Sequence, residues 1–141
     1  MIEDLIKKGL LTKTPPDEKK AEKSIELAEN RVEKAGEEIQ AELFDDALVS
    51  AYTSMFHSSR ALLFRDGYKE RSHYALCEYI REKYSGKLEA RFINELNILR
   101  TIRHKVIYGD EDLNSKEVQE AEAKEAMKLA ESYLQAVKKL L

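Results

Sequence analysis

Residues 46–66, DALVSAYTSMFHSSRALLFRD, decide the fold. Ala47, Leu48, Val49, Ala51, Tyr52, Met55, Phe56, Ala61, Leu62, Leu63 and Phe64 place apolar groups on nearly every side of a helix. A helix that is apolar all round sits at the centre of its bundle. Ser50, Ala51, Ser54, Ser58, Ser59 and Ala61 are small enough to let neighbouring helices come close. Phe44-Asp45-Asp46 breaks the chain before it, with Asp45 the expected N-cap, and Gly67 stops it. His57 and Arg60 lie three apart and face the same way. An arginine in so apolar a helix must reach a partner or the surface.

The flanking segments are written in the same helical code. In residues 17–43, Ile25, Ala28, Val32, Ala35, Ile39 and Leu43 step by three and four, and Glu and Lys fill much of the remainder as a solvated face. Before that helix, TKTPP (residues 12–16) is a stop and a restart, with Pro16 expected in the first turn. Residues 1–11, MIEDLIKKGLL, form a short amphipathic arm that must dock to be stable. The chain thus divides into an arm, 1–16, and a helical bundle, 17–141.

After Gly67 come a loop and a helix over 73–84, capped by Ser72. Arg71 and His73 at its entry are assigned to local capping and surface contact. A helix over 88–108 buries Leu88, Phe92, Leu96, Leu99, Ile102 and Val106, and an acidic turn, GDEDLN, precedes a last helix starting near Ser115. No strand-like alternation is visible. Short turns between four long helices and one shorter one predict an all-α, up-and-down bundle of four or five helices.

Composition narrows the function classes. The 141 residues suffice for one cored domain without disulfides or a structural metal. At 43% hydrophobic and 36% charged, the chain is neither disordered nor membrane-embedded. No signal peptide or membrane-length apolar run occurs, so a cytoplasmic location is expected. The net charge of -3 supplies no global field for nucleic acid, so any polyanion site must be a local patch. Cys77, the only cysteine, reads as a small buried hydrophobe. His57, His73 and His104 fall on three different helices, and no phosphate loop or metalloprotease motif occurs. Neither metal nor cofactor is expected.

One local patch stands out: LNILRTIRHKVIYG, residues 96–109. Arg100, Arg103, His104 and Tyr108 share roughly 140° of one helix face. Such a crowd needs an anion, either a carboxylate from a neighbouring helix, such as Glu122 or Glu125, or a phosphate. Arg100, Arg103 and His104, joined by His57 and Arg60, suit ribose-phosphate chemistry. Arginine holds phosphate bidentately, and a histidine, or less readily a tyrosine, can move the proton of a ribose 2′-OH.

Residues 50–73, SAYTSMFHSSRALLFRDGYKERSH, and 99–109, LRTIRHKVIYG, followed by EAEAKEAMKLAESYL, resemble small stand-alone HEPN-domain proteins of prokaryotes, mostly archaeal. The resemblance extends from about Lys20 to the end of the chain. It implies a helical bundle that forms a homodimer. Many members cleave RNA without metal, using an arginine and a histidine with four to six residues between them, and many pair as toxins with a minimal nucleotidyltransferase antitoxin. Arg103 matches the motif arginine and His104 the polar position after it, but the catalytic histidine position holds Tyr108. Catalytic roles therefore fall, on this resemblance, to Arg103, His104 and Tyr108. The leading reading is a nucleotide- or RNA-phosphate-binding protein, a degenerate toxin component. The alternatives are an active ribonuclease using Arg100, Arg103 and His104, and a structural dimerisation module.

Overall fold

The computed structural model describes residues 2–141; Met1, where the expected arm begins, lies outside them. Among the described residues the chain forms six helices: α1 (Ile2–Lys7), α2 (Glu18–Gln40), α3 (Phe44–Asp66), α4 (His73–Tyr84), α5 (Ala90–Tyr108) and α6 (Glu120–Leu140). The architecture is all-α, as the patterning predicts.

Helix α3 is the hub. It packs against α2 and α6 and also touches α4 and α5. Leu48, Ala51, Tyr52, Met55, Leu62 and Leu63 are buried on its several sides. Its serines satisfy themselves inside the core. Ser58 and Ser59 donate back to the carbonyls of Ser54 and Met55 at 3.0 and 2.9 Å. Ser54 donates across to Ala28 of α2 at 2.8 Å. With the Ser59 proton so committed, the fully buried Tyr133 of α6 donates to Ser59 Oγ at 2.7 Å. These bonds let polar hydroxyls sit in the core without the cost of an unpaired buried group.

The structure corrects several expectations. Two three-residue strands occur, β1 (Leu11–Lys13) and β2 (Tyr68–Glu70), paired antiparallel with Leu11 opposite Glu70 and Lys13 opposite Tyr68. Three residues are too few for alternation to register in a sequence. This ladder ties the segment after α1 to the α3–α4 connection. Asp45 is not the N-cap of α3, which starts at Phe44 with Leu43 in the cap position. Instead its carboxylate accepts from the backbone N–H of Val118 at 3.1 Å and anchors the approach to α6. Leu43, placed in the apolar stripe of α2, is 49% exposed. Asp17, not Pro16, opens α2 and accepts from the Lys20 N–H at 3.0 Å. Helix α6 begins at Glu120 rather than near Ser115, behind a capping box formed by Gln119 and Glu122.

Gly67 ends α3 in the left-handed region, at φ 91°. A Cβ there would stand 2.8 Å from the Thr14 carbonyl oxygen, so the residue is fixed by both conformation and space. Among the described residues no helix is long and apolar enough to cross a membrane.

Candidate functional site

Helix α5 is anchored at one end and overhangs at the other. Phe92, Ile93, Leu96 and Leu99 are buried, whereas Ile102 and Val106 are only half-buried. The final turns therefore present polar groups along the side that faces α3 and α4. The face read from sequence splits in two here. Arg100 and Arg103 lie half-buried, while His104 and Tyr108 are exposed, with rings 4.7 Å apart and tilted by 46°.

Neither arginine meets a carboxylate. Among the described residues no ion pair involves Arg100 or Arg103, whereas Arg60, Arg65, Arg81 and Arg91 each have one. Arg100 Nε and Nη2 both donate to Asn97 Oδ1, at 3.2 and 3.0 Å, which orients the guanidinium without neutralising it. Its centre lies 5.8 Å from the centroid of the Tyr74 ring on α4. Of the carboxylates a salt-bridged interface would use, Glu122 pairs with Lys116 at 3.5 Å. Glu125 lines a groove of about 380 Å³ between α5 and α6 with Arg91, Glu95, Glu122 and Lys128. Three carboxylates against two cations make that groove unfavourable for an anion.

Sequence reasoning missed His73. Its position in the chain places it at the helix entry, and Ser72 does cap α4 by accepting from the Ala75 N–H at 3.0 Å. The imidazole, however, turns inward. Its ring stacks on Phe56 with centroids 4.3 Å apart, and its Nδ1 lies 2.7 Å from the Tyr52 hydroxyl. Tyr52 and Phe56 are one turn apart on α3, so one helix face provides both the stack and the hydrogen bond. Burial, followed by the charges of Arg103, Arg100 and Arg60, lowers the His73 pKa to about 4. The imidazole is thus neutral at pH 7. Burial holds the Tyr52 hydroxyl far above the usual tyrosine range, so it keeps its proton. The only advance signal was the Tyr52–Phe56 spacing; which ring would cover it is a tertiary matter.

The two α3 residues of the expected site lie elsewhere. Arg60 Nε is 2.5 Å from Oε1 of Glu70, whose side chain is 6% exposed, and the guanidinium sits over Phe56 and Phe64. Its charge is compensated within the fold. Desolvation raises the Glu70 carboxyl, and Arg60 offsets this only partly. His57 has a buried Nδ1 with no hydrogen-bond partner, and its pKa is lowered to about 4 by burial, then by Arg60 and Arg31. Burial also pushes the Cys77 thiol up to about 11, which keeps it a thiol at neutral pH.

The resulting class is a helical bundle that holds two uncompensated guanidiniums beside a neutral imidazole. The HEPN domain family matches residues 21–140, and the chain belongs to that family. At family level this is a nucleotide- and RNA-related fold. No curated protein matches the chain.

Proposed function

We propose that this HEPN-domain protein binds the phosphate of a nucleotide or of RNA through Arg100 and Arg103, with His104 at the edge of the site. The observation that carries this reading is the pair of half-buried guanidiniums without a carboxylate. Like charges held together in a fold are unfavourable until an anion arrives, and arginine is the side chain best matched to phosphate oxygens.

In the same proposal the protein is a two-fold homodimer. Ile98, Ile107, Tyr108 and Leu113, all at least 45% exposed, leave apolar side chains uncovered on more than one side of α5 and on the following turn, and a second copy would cover part of them. A minimal nucleotidyltransferase antitoxin is the partner the family resemblance suggests. Tyr108 in the histidine position supports binding without efficient cleavage, because general base catalysis of this kind falls to histidine far more readily than to a phenol.

The test is thermal unfolding of the purified protein with inorganic phosphate, AMP, ATP or a short single-stranded RNA, repeated over a range of salt. Binding to the folded state must raise the apparent melting temperature. The expected result is a shift that shrinks with salt and vanishes in the Arg100→Ala/Arg103→Ala double variant. No shift with any probe overturns the reading. Light scattering at tens of micromolar checks the dimer, and a monomer there removes it.

A further inference from the structure

We propose that His73 and Tyr74 complete a mononucleotide subsite with Arg100 and Arg103. His73 would donate its Nε2–H to the phosphate, and Tyr74 would stack on the base. The inference rests on the phosphate-binding reading above and deepens it.

The first step is the tautomer. Tyr52 is fully buried, and among the described residues its hydroxyl has one partner, His73 Nδ1, at 2.7 Å. A buried O–H left without an acceptor is costly. The stable arrangement therefore has Tyr52 donating and Nδ1 accepting. A neutral imidazole that accepts at Nδ1 carries its proton on Nε2. The lone pair a general base would use is occupied, so His73 is a donor and not a base.

The second step is the company it keeps. Phe56 fixes the plane of the imidazole by stacking at 4.3 Å. The neighbouring residue on α4, Tyr74, is 48% exposed, and the Arg100 guanidinium lies 5.8 Å from its ring centroid. Arg100 and Arg103 both act electrostatically on His73. Arg100 therefore lies over a half-exposed Tyr74 ring, next to the oriented N–H donor of His73 and within electrostatic reach of Arg103. Guanidiniums and N–H donors suit the oxygens of a phosphate, and an exposed aromatic ring beside an arginine suits a nucleobase. Phe56 cannot serve as that platform, since His73 and Arg60 already engage its ring.

The experiment combines nitrogen-15 NMR of the histidines with titrations of inorganic phosphate and AMP. Wild-type His73 should show the Nε2–H tautomer at pH 7, and its Nε2 signal should move on adding phosphate. His73→Leu and Tyr52→Phe should each weaken phosphate binding by about tenfold, the value of one charge-assisted hydrogen bond. His73→Gln, which returns an N–H donor near the same place, should recover part of the loss. Tyr74→Ala should weaken AMP by about tenfold and leave inorganic phosphate unchanged. If His73 carries its proton on Nδ1, or if His73→Leu binds phosphate as the wild type does while Arg103→Ala does not, the subsite is wrong and phosphate binding by the arginines stands. If Tyr74→Ala weakens both ligands equally, the base assignment fails. If the wild type binds neither probe, the subsite falls, and if ATP and single-stranded RNA also leave its melting temperature unchanged, the reading beneath it falls as well.

Discussion

Two polar clusters sit against α3, and they are built to opposite rules. At its C-terminal end Asp66 accepts from the hydroxyls of Tyr79 and Tyr84, at 2.8 and 2.6 Å. Arg65 stands 3.5 Å from Asp66, donates to Tyr84 Oη at 2.9 Å and reaches the Leu140 carbonyl at the end of α6. Every charge there has an opposite, and the cluster joins α3, α4 and α6. Earlier on the helix, Tyr52 holds His73, and the nearby Arg100 and Arg103 have no carboxylate partner among the described residues. The first cluster is complete within the chain. The second holds cations without an opposite charge among the described residues. The difference separates cations that the fold neutralises from cations that it leaves uncompensated.

The comparison breaks first at the closed cluster, where the largest effect is expected. Asp66→Ala leaves two largely buried tyrosine hydroxyls without their acceptor and Arg65 without its counter-charge. The expected loss is about 2–4 kcal/mol of stability by urea unfolding. Phosphate binding per folded molecule should not change. A loss below about 1 kcal/mol would mean that the closed cluster does not hold the helices together.

Gly67→Ala should cost about 1–3 kcal/mol, because it puts a side chain at φ 91° against the Thr14 carbonyl. It tests the joint between the N-terminal arm and α3, with hydrogen exchange in residues 11–16 as a second readout.

The amount of this that the sequence foretold follows the length of the signal. The hub helix was legible because its apolar residues run for six turns, and Ser72 and Gly67 mark ends by local chemistry alone. The β1–β2 ladder was not, since a three-residue pairing leaves no period. Asp45 carried a capping signal that a longer-range bond to Val118 overrode. At the site, Arg100 and Arg103 could be picked out by crowding on one face. Two facts lie outside the pattern of any one helix: that α5 packs with Arg100 and Arg103 near His73, and that Arg60 is taken up by Glu70. Both depend on contacts between elements, which spacing within an element does not encode.

Acid should test the two histidines that the fold keeps neutral. His57 and His73 have folded pKa values of about 4, below the unfolded value near 6.5. The unfolded chain therefore binds more protons between those values, and stability falls as pH drops from about 6.5 towards 4. Glu70, whose carboxyl is raised, works in the opposite sense: its contribution is present at low pH and is lost as pH rises through the carboxylate range. Urea midpoints measured from pH 7 to 4.5 should decline, and less steeply in His57→Leu/His73→Leu. An equal slope in that variant would show that neither histidine is held neutral.

Removing the uncompensated cations should do little to the fold. Arg100→Met and Arg103→Met take away like charges that have no carboxylate partner. The expected stability change is within about 0.5 kcal/mol, or a slight gain at low salt. A loss of about 2 kcal/mol or more in either would show that the arginines are structural and the second cluster is closed after all.

The smallest effects belong to His104 and Tyr108. Both are exposed, and their recorded contact is with each other. His104→Ala and Tyr108→Ala should each change stability by less than about 0.5 kcal/mol. If the inner residues make the phosphate site, these variants should also bind AMP within about threefold of the wild type, as rim positions do. Cleavage of RNA in chelator then separates the outer pair's possible roles. With Tyr108 in the histidine position, the wild type should cleave slowly or not at all. Tyr108→His would place an imidazole beyond Arg103 with four residues between them, able to accept a 2′-OH proton at neutral pH. Metal-independent cleavage should then appear and vanish again on adding Arg103→Ala. A wild type that already cleaves, loses the activity with His104→Ala and ignores Tyr108→Phe would reverse the comparison: the exposed pair would be the working end of α5, and the inner arginines its support.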